Sequence, residues 1–352
     1  MKRIVSIVLF LIFAFTVKSQ DIHFSQYYAS PLTLNPSLTG LINGDFRVAG
    51  IARGQWFSIS TKGAVSPYST YALSYDHSLL RKKLKNHGLG VGFMAYSDEA
   101  GDGSLTTQAL MGSIAYHLAL DRYGRHRISL GIQGGIVFMR LFQHDLVFEE
   151  QWDSGLNTFN PLLYNGESDN LTGNIMYPDF NAGMTFSSMP STKFAYYLGF
   201  ALNHIATPQL TFLNDGDNNL GRRYIAHAGV RWKTSKYFKV LPTVLYMTQT
   251  EAQQLNIGSA FEYEFGDNVF GFIGGFTRLV GNLKGGLDND AIIFTIGAEV
   301  FNTRVGVSYD FNTSKLRSAT KSIGAAEISV IYIHNKQEHV LLQKGVRGPI
   351  GP

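Results

Sequence analysis

Three histidines, His117, His204 and His227, invite a search for a metal or hydrolytic centre. They fall in separate segments without ligand-like spacing. No H-E-x-x-H pair occurs, and no G-x-S-x-G turn that would raise a nucleophilic serine. The chain has no Cys, which excludes thiol catalysis, zinc ribbons and a disulfide framework. Gly88, Gly90 and Gly92 imitate a nucleotide loop, but they alternate at period two with no helix following, so close strand packing explains them better. The run NDGDNN (Asn214 to Asn219) offers oxygen ligands without the closing glutamate of a calcium loop, and reads as turn chemistry. No catalytic, cofactor-binding or metal set emerges, and the chain reads as a non-enzyme.

A second group of reactive side chains recurs in phase within otherwise apolar runs: Arg47, Arg53, Asp76, Arg231, Glu262, Glu264, Glu299, Arg304, Asp310 and Glu327. Such charges either line a conduit or pair with one another across an interior. Pairing is the expectation, because an unpaired buried charge costs several kcal/mol.

The elements that hold these charges alternate. From Ile128 to Phe138 the even positions are Ile, Leu or Phe with one Gly, while the odd positions up to Gly135 are Ser, Gly and Gln. Val305, Val307, Tyr309 and Phe311 alternate with Arg304, Gly306, Ser308 and Asp310, and Ile257, Phe261 and Phe265 oppose Asn256, Gly258, Glu262 and Glu264. The polar face is rich in Gly, Ser and Asn, which suits a crowded polar lumen with the aromatic face against lipid.

Composition agrees. Of 352 residues only 16% are charged, against roughly 25% in soluble domains, while 25 Phe, 18 Tyr and 37 Gly argue against disorder. No window approaches the 18 or so consecutive apolar residues of a membrane helix. Lys2 and Arg3, the apolar run Ile4 to Phe15, and Val17 and Ser19 form a secretory leader over residues 1–19. Three of the 30 basic residues precede the first acid, so the remainder nearly balances the 26 acidic ones and nucleic-acid binding loses its support.

The expected fold is therefore all-β, a transmembrane antiparallel barrel of about 14 strands behind a cleaved signal peptide. The strands are expected at 46–61, 69–80, 88–98, 105–120, 127–142, 178–188, 194–206, 223–233, 236–248, 254–265, 268–278, 290–300, 303–311 and 324–334. Counting from a periplasmic start, the even connections are mostly short and the odd ones include the long segments Gln143 to Tyr177 and Thr207 to Arg222, the asymmetry of outer-membrane barrels. Arg81 to His87 and Thr250 to Gln253 depart from it. Residues 20–45 form an N-terminal segment on the periplasmic rim or plugging the lumen, residues 46–334 the barrel, and residues 335–352 a periplasmic tail. Both termini are expected in the periplasm.

The run QDIHFSQYYASPLTLNPSLTG (Gln20 to Gly40) closely resembles the opening of the PorP/SprF family of the type IX secretion system in Bacteroidetes. HGLGVGF, ISLGIQGG, PDFNAGM, YLGFALNHIATPQ, RRYIAHAGVRW, GVSYDFNTSKL and GAAEISVIY extend the resemblance over nearly the whole mature chain. It departs at the end, KGVRGPIGP, where many members carry a Cys-containing tail. The resemblance implies an outer-membrane protein that assists export or surface display of secretion cargo, including large gliding adhesins, and docks on periplasmic translocon or motor-ring components. It implies no cofactor.

Two candidate sites follow. Phe24, Ser25, Gln26, Tyr27, Pro31, Asn35 and Pro36 form either a docking element for a periplasmic partner or a plug that satisfies polar groups of the lumen. Trp152, Phe159, Leu162 and Tyr164, in a loop that also holds Pro161 and Leu163, make an apolar external surface that faces cargo or folds back as a porin-like constriction. RKKLK (Arg81 to Lys85) is a basic cluster on a short-turn end, read as a solvated turn or a contact for an acidic partner. The alternative function is a porin or small-solute channel.

Overall fold

The computed structural model describes residues 21–55, 68–80, 87–100, 105–142, 149–160, 163, 172–212, 218–266, 269–282, 285–315, 317 and 322–334. The expected leader, the C-terminal tail, RKKLK, most of NDGDNN, Pro161, Leu162 and Tyr164 lie outside the described residues.

Fourteen strands form one closed antiparallel barrel. They are β1 (Phe46–Gln55), β2 (Tyr68–Leu79), β3 (Gly88–Ala100), β4 (Leu105–Ala119), β5 (His126–Arg140), β8 (Asn174–Ser188), β9 (Phe194–Asn203), β10 (Arg223–Lys233), β11 (Phe238–Gln249), β12 (Ala252–Gly266), β13 (Val269–Gly281), β14 (Leu287–Val300), β15 (Thr303–Asn312) and β16 (Ile323–Ile333), while β6 (Trp152–Asp153) and β7 (Thr158–Phe159) make a small separate hairpin between β5 and β8. β16 returns to β1 in register from Arg47↔Ile333 to Gln55↔Ala325, so no edge is left open.

Alternation predicts the faces correctly. Ile132, Ile257, Phe265, Ile273 and Ile296 stand outward and exposed, whereas Gln133, Asn256, Ser308 and Asp310 are buried. A wall with that much exposed aliphatic and aromatic surface belongs in lipid. Aromatic side chains gather at the short-turn end, where Phe46 stacks on His334 at 4.8 Å and Tyr263 meets Phe265 at 5.0 Å, as in interfacial belts.

Three expectations need correction. β8 begins at Asn174 rather than Pro178: a Pro cannot donate to a ladder, but β8 pairs with β9 only from Ala182 to Ser188, so the Pro lies where that side is already free. β9 ends at Asn203 because His204 turns into the left-handed region at φ 57. The lumen is also less polar than expected: Ile51, Met94, Met111, Val137, Met139, Leu241, Leu245 and Ile293 are buried on the inner face.

The reason is an occupant. Residues 21–45 run through the lumen as a strap of three short turns, Tyr27–Ala29, Pro31–Leu34 and Pro36–Leu38. Each of the last two begins with a Pro, whose missing N–H is harmless in a first turn, and Asn35 caps the third by accepting the Ser37 N–H at 2.9 Å. Leu34, Leu38 and Tyr27 pack on Ile225, Leu245 and Met247; Leu32 packs on Met94, Met111 and Val137; Phe24 packs on Ile51 and Ala72. Inverting the usual arrangement, the hydrophobic core lies inside the barrel, between strap and wall.

Candidate functional site

The strap spans the lumen from end to end. At the short-turn end Asp45 donates its N–H to His334 O at 3.0 Å, and at the long-loop end Asp21 donates its N–H to Gln249 Oε1 at 3.3 Å.

Near the short-turn end Asp76, fully buried, accepts the Gly40 N–H at 2.7 Å and two bonds from Arg47 at 2.9 Å each, while Arg47 Nη2 reaches Leu38 O at 3.1 Å. Gly40 takes φ 68 there and lies against Gly90, where a Cβ would stand 1.9 Å from Thr39 O. His117 donates from Nε2 to Thr39 O at 2.9 Å, with Nδ1 2.8 Å from Ser129 Oγ.

In the middle, Asn35 Nδ2 lies 3.1 Å from Phe200 O and 3.0 Å from His227 Nε2. Gly131 and Gly183 leave room for this turn: a Cβ at Gly131 would stand 2.4 Å from the Pro36 backbone, and one at Gly183 would stand 1.9 Å from Asn35 Oδ1.

Towards the long-loop mouth the contacts become ionic. Glu327 accepts the Ser25 N–H at 2.7 Å on one oxygen and the Gln26 N–H at 2.8 Å on the other. Ser25 Oγ donates to Asp310 at 2.8 Å and accepts from Arg53 and Arg278 at 3.1 Å each. Arg53 pairs with Glu327 at 2.5 Å and Asp310 at 3.2 Å, and Arg278 with Asp290 at 2.7 Å and Asp310 at 2.9 Å. At the rim His204 bridges Asp21 and Asp179, the latter at 3.0 Å, and Arg223 donates to Ile22 O at 2.9 Å. Burial alone would disfavour the imidazolium, but the two carboxylates outweigh it and hold His204 up at about 9.

Beside the strap, Leu241, Ala260, Phe276 and Ile293 pack together on the inner face of β11 to β14, an arrangement that can act as an apolar seal. Below this seal, at the short-turn end, Lys239 pairs with Glu262 at 2.6 Å, and Arg304 with Glu262 at 3.0 Å and Glu299 at 3.4 Å, both cations lying over the rings of Phe270 and Phe272.

The in-phase charges are thus largely paired. Arg47, Arg53, Asp76, Glu262, Glu299, Arg304, Asp310 and Glu327 all join the pairs above; Arg231 and Glu264 are half-buried, and Arg231 Nη2 donates to Met189 Sδ at 3.3 Å. Sequence reasoning missed Arg278, Lys239 and Arg223. Arg278 shares the inner face of β13 with Phe270, Phe272 and Phe276, so a rule that sends aromatics to lipid assigns that face wrongly; Arg278 itself marks the correct phase.

The seven strap residues named from the sequence are brought together, and all are buried: Phe24, Ser25, Gln26, Tyr27, Pro31, Asn35 and Pro36 line the strap's contact with the wall. The four loop residues are not brought into one described site. Trp152 is exposed and pairs through its backbone with Phe159 in the β6–β7 hairpin.

A family model described as "Type IX secretion system membrane protein PorP/SprF" matches residues 16–332. Comparison with the curated proteins finds no match. Among solved structures the chain is similar to the P. putida toluene transporter TodX (11% identity, TM-score 0.49, covering 87% of this chain and 93% of that one). It is also similar to the monoaromatic hydrocarbon channel CymD (12%, 0.45, 88% and 94%) and the porin KdgM (8%, 0.37, 81% and 98%).

Proposed function

The chain belongs to the PorP/SprF family of type IX secretion system membrane proteins, and from that premise we propose that it is a non-catalytic scaffold of the outer membrane that assists export or surface anchoring of particular secretion cargo, large adhesins among them. The observation that carries this reading is the filled lumen. A strap keyed into the wall, beside an apolar seal, leaves the barrel's ends and loops as its working surfaces.

In this reading the short-turn end faces the periplasm and docks on translocon or motor-ring components, and the long-loop end faces outward. Asp21 then stands at the outer mouth and Asp45 at the periplasmic end, so in this reading the mature N-terminus, expected in the periplasm, lies at the outer end instead. Docking falls to the short turns and the rim rather than to the buried strap residues. The β6–β7 hairpin, with exposed Trp152, and the remainder of the loop through Phe159, Leu162 and Tyr164 form the cargo-facing surface.

The test is deletion of the gene in the native host, with surface and culture-fluid proteomes compared against a complemented strain. Loss of one or a few large surface proteins supports a cargo-specific role, and loss of every secreted substrate a core one. An unchanged secretome sinks the proposal. Solute passage, the alternative, is distinguished in planar bilayers, where a porin conducts steadily and the scaffold is silent.

A further inference from the structure

The strap is anchored in two different ways along its length. Its short-turn half is keyed by shape, with the backbone of residues 36 to 40 lying where wall glycines 90 and 131 have no side chain, so that half has no room to move without rebuilding the wall. Its long-loop half is held by side-chain groups of the wall, and the nearest wall glycine, Gly306, touches only the flexible end of Gln26.

Those wall groups do not depend on the strap for neutralisation. Arg53 has Asp310 and Glu327, and Arg278 has Asp290 and Asp310, so removing Ser25 and Gln26 leaves neither buried cation without a carboxylate. What the strap supplies is a peptide's own chemistry. One carboxylate grips two consecutive main-chain N–H groups. A hydroxyl sits between two guanidinium groups and Asp310, and a carboxamide donates to Ser308 Oγ at 3.1 Å and accepts from Ser329 Oγ at 2.8 Å. Nearby, Asn256 stands opposite Arg278 in the ladder, is fully buried, and has neither amide atom paired among the described residues. The site therefore holds more hydrogen-bonding capacity than its occupant uses.

We propose that the mouth formed by Arg53, Arg278, Asp310, Ser308, Glu327 and Ser329 is a preformed peptide-binding site whose resident occupant is Ser25–Gln26, and that a Ser-Gln-like segment of a partner protein, in the same turn conformation, exchanges with it. This deepens the scaffold reading by naming a ligand class at the outer mouth. Its test uses purified protein and reads no secretion, so either idea can fail alone.

The probe is a fluorescent peptide of sequence DIHFSQYYA, added to the full-length protein in lipid nanodiscs and followed by anisotropy, with a scrambled peptide as control. Competition with a tethered resident predicts opposite signs for two variants. Ser25→Ala in the protein weakens the resident and leaves the wall intact, so the probe binds about tenfold or more tighter; the same Ser→Ala change made in the probe removes the hydroxyl from the incoming segment alone, so on the unchanged protein that probe binds about tenfold or more weaker. Absence of binding even in Ser25→Ala, equal binding of the scrambled peptide, or shifts of the same sign in both variants would overturn the inference. A third variant guards against misfolding: Ser25→Cys in this Cys-free chain is expected to react with maleimide, faster when the probe is present, while Ser37→Cys in the keyed half stays protected. Equal protection of the two cysteines counts against exchange.

Discussion

Asp76 shows what a single side chain does in this lumen. It neutralises Arg47 and also holds the strap through the Gly40 N–H. Asp76→Ala strands a buried guanidinium and is expected to cost about 3–5 kcal/mol, whereas Arg47→Met with Asp76→Leu recovers a large part of the loss. Urea unfolding in detergent, followed by heat-modifiable mobility on gels, measures both. His204 makes the rim sensitive to alkali. Its folded value is about 9 against an ordinary 6.5, so its stabilisation of the Asp21 end is complete below about pH 6.5 and is lost as pH rises through 9. Amide exchange at Asp21, whose N–H donates to Gln249 Oε1, is expected after correction for intrinsic rate to lose protection between pH 8 and 10, and His204→Phe removes that pH dependence. These residues were only half legible beforehand. Asp76 stands in phase and is expected to pair, but nothing local ties His204 to its carboxylate partners, which lie 25 and 183 positions away.

At the scale of elements the wall glycines divide by what faces them. Gly131 meets the Pro36 backbone and Gly183 meets Asn35, while a Cβ at Gly275 meets nothing within 4 Å. Gly131→Ala and Gly183→Ala are therefore expected to destabilise by about 1–3 kcal/mol, with Gly275→Ala near neutral. Denaturant midpoints of the three variants check this, and equal effects at all three would mean that the wall does not key the strap. Strand existence and facing were read correctly because a period of two is local and each residue carries its own preference for lipid or interior. β13 is the instructive exception: its inner face holds three Phe and Arg278, since the apolar environment there is supplied by facing strands rather than by lipid.

For the whole molecule, strap and seal together predict a silent barrel. Deleting residues 21–40 removes the strap's apolar and ionic contacts and is expected to give ion conductance in planar bilayers that the intact chain lacks; a deletion barrel that assembles yet stays closed would assign closure to Leu241, Ala260, Phe276 and Ile293 alone. The sequence by itself determined an antiparallel barrel of fourteen strands with its lipid and lumen faces, because alternation, strand length and turn spacing are written locally. It also marked Gln20 to Gly40 as special without saying where that segment goes. Only the tertiary structure decided that the strap runs the full height of the lumen and brings Asp21 to the long-loop end. The reason is that its partners are up to 303 positions away and become neighbours only when β16 closes on β1, which no local pattern records.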